Sequence, residues 1–354
     1  MMIYLIIGII FIYSPPSWTL SVKRIGSDSL FMEAKTCDEI DNEVKQLMIW
    51  TNKSENRSCK KPLNTVLENS TCYADISECV PEHVKKYHDT NPKSYGPNCY
   101  NLALVMSGIL PSLRHSTSEE ISYYMQPPLC SQLSSDEIKI PGDIGLIRFS
   151  NKDEVHAFIH ISDKLVYSKN GVDTDSPFSI QKAENVNNKY INNNIKTCQE
   201  IQKKKPSPRK CEIDTEYYRC ISMEEYLSNN SDHNIENLKN DLLELNKTEC
   251  QLSSAVSKNN TFNSEQKKNI LDTVQALNHY LNSEVKKNNE NPSKDPKVSF
   301  LLGALKMRLF SIKHQLYYLY YKIPDPENKV FINRLEKAVE AARKELSSED
   351  WKNR

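Results

Sequence analysis

The sequence predicts an α+β fold in which a cysteine-bearing helix packs on a small antiparallel sheet and an all-helical region follows. Three observations predict it. Gly96-Pro97 breaks the chain just ahead of Cys99, and the run from there to Leu110 reads as a helix. Residues 144–149, 155–162 and 165–168 are short apolar or alternating runs bounded by turn residues, as strands are. From about residue 230 onward, apolar residues recur at helical spacing. A length of 354 residues accommodates two or three such units.

The elements follow in chain order. Residues 3–13 are unbroken apolar sequence ending at Ser14-Pro15-Pro16, too short to span a bilayer, where about 20 residues are wanted. They fit the apolar core of a secretory signal, so 1–21 is read as a cleaved leader and the mature chain as periplasmic or secreted. Residues 22–90 hold Cys37, Cys59, Cys72 and Cys79 with a helical patch at 38–50, and read as a disulfide-pinned lead-in without a core of its own. Residues 91–228 form the central domain. In it, Pro141-Gly142-Asp143 opens the strand 144–149. The strand 155–162 puts His156, Phe158 and His160 on one face and Ala157, Ile159 and Ile161 on the other. Asp163-Lys164 turns it into 165–168, a β-hairpin.

Residues 182–215 are rich in Asn and Lys and read as a solvated insertion, with Cys198 and Cys211 placed to tie its base. The run 217–221 is placed to return to the sheet. Residues 229–354 carry four helical patterns, near 235–245, 264–285, 298–323 and 327–346, the last set off by Pro324 and Pro326. This is a small helical bundle. Its third helix is apolar around much of its circumference and reads as the central one. Its tyrosines, Tyr317, Tyr318, Tyr320 and Tyr321, are the alternative: a surface for a protein partner or a glycan.

Composition removes several function classes. Lys plus Arg and Asp plus Glu both number 46, so no net charge draws the chain to nucleic acid. No His/Cys cluster has metal-ligand spacing and no glycine-rich phosphate loop is present, so neither a metal nor another cofactor is expected. Ten cysteines fit an exported, disulfide-bearing protein. An even count permits full pairing. If Cys99 is free, at least one more must be.

Cys99 carries the chemical interest. In the first turn of a helix capped by Asn98, free N–H groups and the positive end of the macrodipole favour a thiolate. A thiolate nucleophile needs a base, and His156, at the start of its strand, is the candidate. A third polar group should orient the imidazole. The return strand offers Tyr167 or Ser168, with Asn170 just beyond. The competing readings of Cys99 are a disulfide half or a small core residue. His160, four residues on and on the His156 face, is structural or lines the site. Tyr95 and Asn98 flank the cysteine as candidate substrate contacts.

The stretch from Cys99 to about Gly171 resembles the NlpC-type cell-wall peptidases and the related CHAP amidases. The residues that carry the likeness are Asn98-Cys99-Tyr100-Asn101, Pro141-Gly142-Asp143-Ile144-Gly145, Glu154-Val155-His156-Ala157-Phe158-Ile159 and Lys164-Leu165-Val166-Tyr167-Ser168. The resemblance covers about a quarter of the chain. It implies a papain-like half-sheet, Cys99 as nucleophile, His156 as general base, and hydrolysis of an amide bond in peptidoglycan peptides or another peptide substrate. Here Asn-Cys-Tyr stands where the family has Asp-Cys-Ser or similar, and Ala157 follows the histidine where Gly is common. A scaffold of the same shape that binds a partner without catalysis is the alternative.

Overall fold

The computed structural model describes residues 20–55, 59, 65–68, 70–93, 96–204, 210–230, 235–258, 262–290, 296–322 and 326–347. The expected leader lies outside the described residues, apart from positions 20 and 21. The elements, in chain order, are β1 (Ser21–Ile25), β2 (Ser29–Ala34), α1 (Cys37–Glu55), β3 (Thr65–Glu68), β4 (Thr71–Asp75), α2 (Glu82–Tyr87), α3 (Cys99–Met106), α4 (Ser118–Tyr124), β5 (Cys130–Gln132), β6 (Ile144–Phe149), β7 (Glu154–His160), β8 (Leu165–Lys169) and β9 (Phe178–Lys182). There follow α5 (Ala183–Asn187), a π-helical turn (Asn188–Asn192), α6 (Asn193–Lys204), β10 (Ile213–Cys220), α7 (Met223–Asn229), α8 (Glu236–Lys258), α9 (Ser264–Glu290), α10 (Pro296–Lys322) and α11 (Pro326–Ser347). The class is α+β, with two antiparallel sheets.

The lead-in is more than a pinned coil. Its strands form a four-stranded sheet in the order β1-β2-β4-β3, and α1 buries Ile40, Val44, Leu47 and Trp50. The missed signal is alternation: in β2, Leu30, Met32 and Ala34 point inward while Ser29, Phe31 and Glu33 are half-buried. Cys37–Cys72 and Cys59–Cys79 cross-link this layer.

The second sheet has six strands in the order β5-β10-β6-β7-β8-β9. β10, the expected return strand, lies between β5 and β6, and Cys130–Cys220 staples its end to β5. Both faces of the sheet are covered. Leu146, Ala157, Ile159 and Tyr167 belong to the main core with Leu102 and Ala103 of α3. Ile147, Phe158 and Val166 belong to a smaller core, which Val186, Tyr190, Ile191 and Ile195 close. Within the 182–215 stretch, residues 183–204 are helical and mostly solvent-facing, they dock on the sheet through those four side chains, and Cys198–Cys211 ties the far end. Polar composition hid the docking because only one apolar side chain per turn or so is needed to seat a helix on a sheet.

The four C-terminal helices form the expected bundle, with α10 packed on both α8 and α11. Leu301, Leu305, Leu309, Ile312 and Leu316 of α10 are fully buried. The bundle is joined to the sheet domain by polar contacts as well. Arg114 spans Glu120 and Glu249 at 2.6 and 2.9 Å, Arg308 sits 3.5 Å from Glu249, and all four side chains are buried. The Tyr123 hydroxyl donates to the Phe300 carbonyl, and Gly303 admits its ring, since a Cβ there would lie 2.3 Å from the hydroxyl. Among the described residues no helix is long and apolar enough to cross a membrane. Four disulfides fit an oxidising compartment, extracellular or periplasmic. Cys99 and Cys250 are the two free thiols.

Candidate active site

Asn98 begins the site. Its backbone is extended, its side chain accepts from the Asn101 N–H at 3.0 Å, and its amide donates to the Ser116 carbonyl at 2.7 Å. It is an N-cap with both ends of its amide engaged inside the protein. The cap puts Cys99 in the first turn of α3. Tyr100 fixes the helix to the sheet, its hydroxyl donating to the Glu154 carbonyl at 3.0 Å. Tyr95, the other expected substrate contact, lies outside the described residues.

β7 and β8 pair at only two positions, Ile159 with Tyr167 and His160 with Val166. Toward the start of β7 the pairing stops, and there α3 packs on the strand, with the Ala157 backbone beside the Cys99 sulfur. The N–H groups of Tyr100 and Cys99 also point at the sulfur, and the Lys169 ammonium lies near enough to favour a thiolate. Lys169 is itself fully buried, its Nζ donating to the Gly171 and Asp173 carbonyls at 2.9 Å each.

His156 precedes Ala157 on the strand and is fully buried. Its Nε2 lies 2.8 Å from the Ser168 Oγ, and its Nδ1 is buried without a hydrogen-bond partner. Ser168 is thus the group that holds the imidazole. Asn170 is not: its Oδ1 accepts from the Tyr190 hydroxyl at 3.0 Å. The reason is the strand end. Extending the β7–β8 register would set position 170 opposite His156, but β8 stops at Lys169 and the chain turns away. Tyr167, the remaining alternative, faces the main core beside Trp50. His160 is structural, with 4 % exposure and its ring edge-on to Tyr217 at 5.7 Å.

Tyr190 is the residue that sequence reasoning missed. Its ring stacks flat on the His156 imidazole, centroids 3.7 Å apart and planes 6° apart. Nothing in its Asn/Lys-rich surroundings signals this. The consequence is electrostatic. Burial pushes the Cys99 thiol up to about 11, overriding the N–H groups and Lys169 that favour its ionisation. Burial, helped by the nearby Lys189 ammonium, holds His156 down to about 3. The expected thiolate is therefore absent: the Cys99 thiol and the His156 imidazole are both neutral, and His156 Nδ1 has no hydrogen-bond partner, the Cys99 sulfur included. A helix N-terminus acts within one turn and contributes about 0.3–1 kcal/mol, less than full desolvation of a charge costs.

Among the described residues no three His, Cys, Asp or Glu side chains converge as a metal set. No family model matches the chain, no curated protein is similar to it in sequence, and no solved structure matches it.

Proposed function

We propose that this protein is an exported cysteine amidase or peptidase of the papain-like, NlpC/CHAP type, acting on peptide amides, with the peptides of peptidoglycan as the first substrate class to test. One observation carries the reading: the buried free thiol of a capped helix lies against the backbone next to a histidine whose Nε2 is fixed by Ser168, leaving Nδ1 uncommitted. In the mechanism, Nδ1 takes the Cys99 proton as the sulfur attacks the amide carbon. The tetrahedral adduct collapses to a thioester as the imidazolium gives that proton to the leaving amine. Water, deprotonated by Nδ1, then attacks the thioester and releases the acid and the free thiol. Ser168 holds the ring in place through both halves.

A second reading has its own observation. The neutral thiol and imidazole of the closed arrangement suit a papain-like scaffold that binds a cell-envelope partner without catalysis. Incubation of the purified protein with peptidoglycan sacculi and with peptide amides separates the two. New amino termini that appear with the natural chain and vanish with Cys99→Ala and His156→Ala support the enzyme. Release that persists in both variants, or none from any substrate, refutes it.

A further inference from the structure

The reading of Cys99 and His156 as a reactive pair leaves a physical problem. Cys99 is 7 % exposed, and His156 and Ser168 are not exposed at all. No amide can reach the sulfur in this arrangement, and no leaving amine can reach the imidazole. The obstruction is specific. The flat face of the imidazole is occupied by the Tyr190 ring, which is also close enough to Cys99 for a thiolate there to disfavour the phenolate.

The segment that carries Tyr190 is built differently from the rest of the sheet's covering. It runs from the end of β9 through α5, the π-helical turn and α6. α6 buries no side chain, and α5 buries Val186 alone. Tyr190 lies in the π-helical turn, a wide turn that displaces a side chain from regular helical register and recurs at functional sites. From the start of α6, the Asn194 amide donates to the Tyr190 carbonyl at 2.9 Å. The latch to the body is the hydrogen bond from the Tyr190 hydroxyl to Asn170 Oδ1. The far end is tethered, because Cys198–Cys211 joins α6 to the residues just before β10. A swing of this piece would uncover the small core that Val186, Ile191 and Ile195 close and would break none of the sheet's strand pairing.

We infer that residues 183–197 form a hinged cover over the Cys99–His156 pair, that Tyr190 is its gate residue, and that substrate binds in the place the tyrosine ring vacates. The inference rests on the proposed function for the identity of that substrate. Opening also changes the chemistry. It removes the Tyr190 ring from the imidazole and carries away Lys189, the one charge that faces His156 and opposes its protonation. It admits water to Cys99, while Lys169 and the N–H groups, which belong to the body, remain at the sulfur. Tyr100 stays as well, held to the Glu154 carbonyl. The thiol then ionises at lower pH and the imidazole protonates at higher pH. The cover thus blocks the pair and holds it neutral, and both effects end in one motion.

The test reads Cys99 alkylation by iodoacetamide in the full-length protein. Peptide mass spectrometry scores Cys99 against Cys250, the exposed free thiol, in the same tube across a pH series. Tyr190→Ala is expected to raise the Cys99 to Cys250 ratio about tenfold or more, the size set by losing one aromatic stack and one half-buried hydrogen bond. It is also expected to move the pH midpoint of Cys99 alkylation down. Tyr190→Phe, which keeps the ring and loses the latch, is expected to give a smaller rise in the same direction, and it carries the test if the alanine variant does not fold. A ratio and a midpoint unchanged from the natural chain would overturn the cover. A rise in the ratio with no downward shift of the midpoint overturns the coupling of opening to ionisation. The readout does not depend on hydrolysis. A gated thiol with no amide cleaved in any variant therefore refutes the proposed function and leaves the cover standing.

Discussion

Acidification should unfold this protein through His156. The imidazole is fully buried and held down to about 3 by desolvation first and the Lys189 charge second. In the unfolded chain it titrates near 6.5. A depressed folded pKa gives stability that is present above pH 6.5 and lost as pH falls from there toward 3. At pH 5.0 the gap from 6.5 is 1.5 units, and at 1.36 kcal/mol per unit the loss from this one side chain is about 2 kcal/mol. His83 and His160, each lowered to about 4 by burial, lose stability over an overlapping range, so the total alone does not identify His156. The comparison is with His156→Gln, which does not titrate and keeps an amide for Ser168 to bond. Urea unfolding at pH 7.5 and 5.0, followed by the fluorescence of buried Trp50, gives the two differences. The natural chain should lose about 2 kcal/mol more than the variant between those pH values. Equal losses in the two proteins would show that the imidazole is solvated or already paired, and the closed arrangement at the site would be wrong.

Ser168→Ala strands the Nε2 of a buried imidazole and should cost about 1–3 kcal/mol of stability, with amide hydrolysis falling about tenfold or more while Ser168→Thr restores both; Thr behaving like Ala in both measurements would exclude the hydroxyl as the anchor. Glu249→Gln removes the charge shared by Arg114 and Arg308 at the junction of sheet and bundle and should cost about 3–5 kcal/mol, read as a lowered thermal midpoint. A loss below about 1 kcal/mol would mean that the two arginines find other compensation.

Much of the architecture was legible in the chain because its causes are local. The Asn98 cap and the helix behind Cys99 follow from a Gly-Pro break and an Asx side chain at the right place. The hairpin of β7 and β8 follows from alternation around a two-residue turn, and the four C-terminal helices from a 3.6-residue period that Pro326 restarts. The pairing of Cys198 with Cys211 was visible in spacing, as was the need for a second free thiol if Cys99 was one. What the chain did not disclose depends on groups that meet from far apart in sequence. Cys250 could not be told from the other cysteines until eight of them were paired in space. The choice among Tyr167, Ser168 and Asn170 fell to Ser168 because β8 ends at Lys169, and strand ends are set by neighbours rather than by the strand's own residues. The protonation of Cys99 turned on the same distinction. A helix N-terminus is a local property and favours the thiolate, but desolvation is imposed by the packing of the whole fold around Cys99, and it is the larger effect.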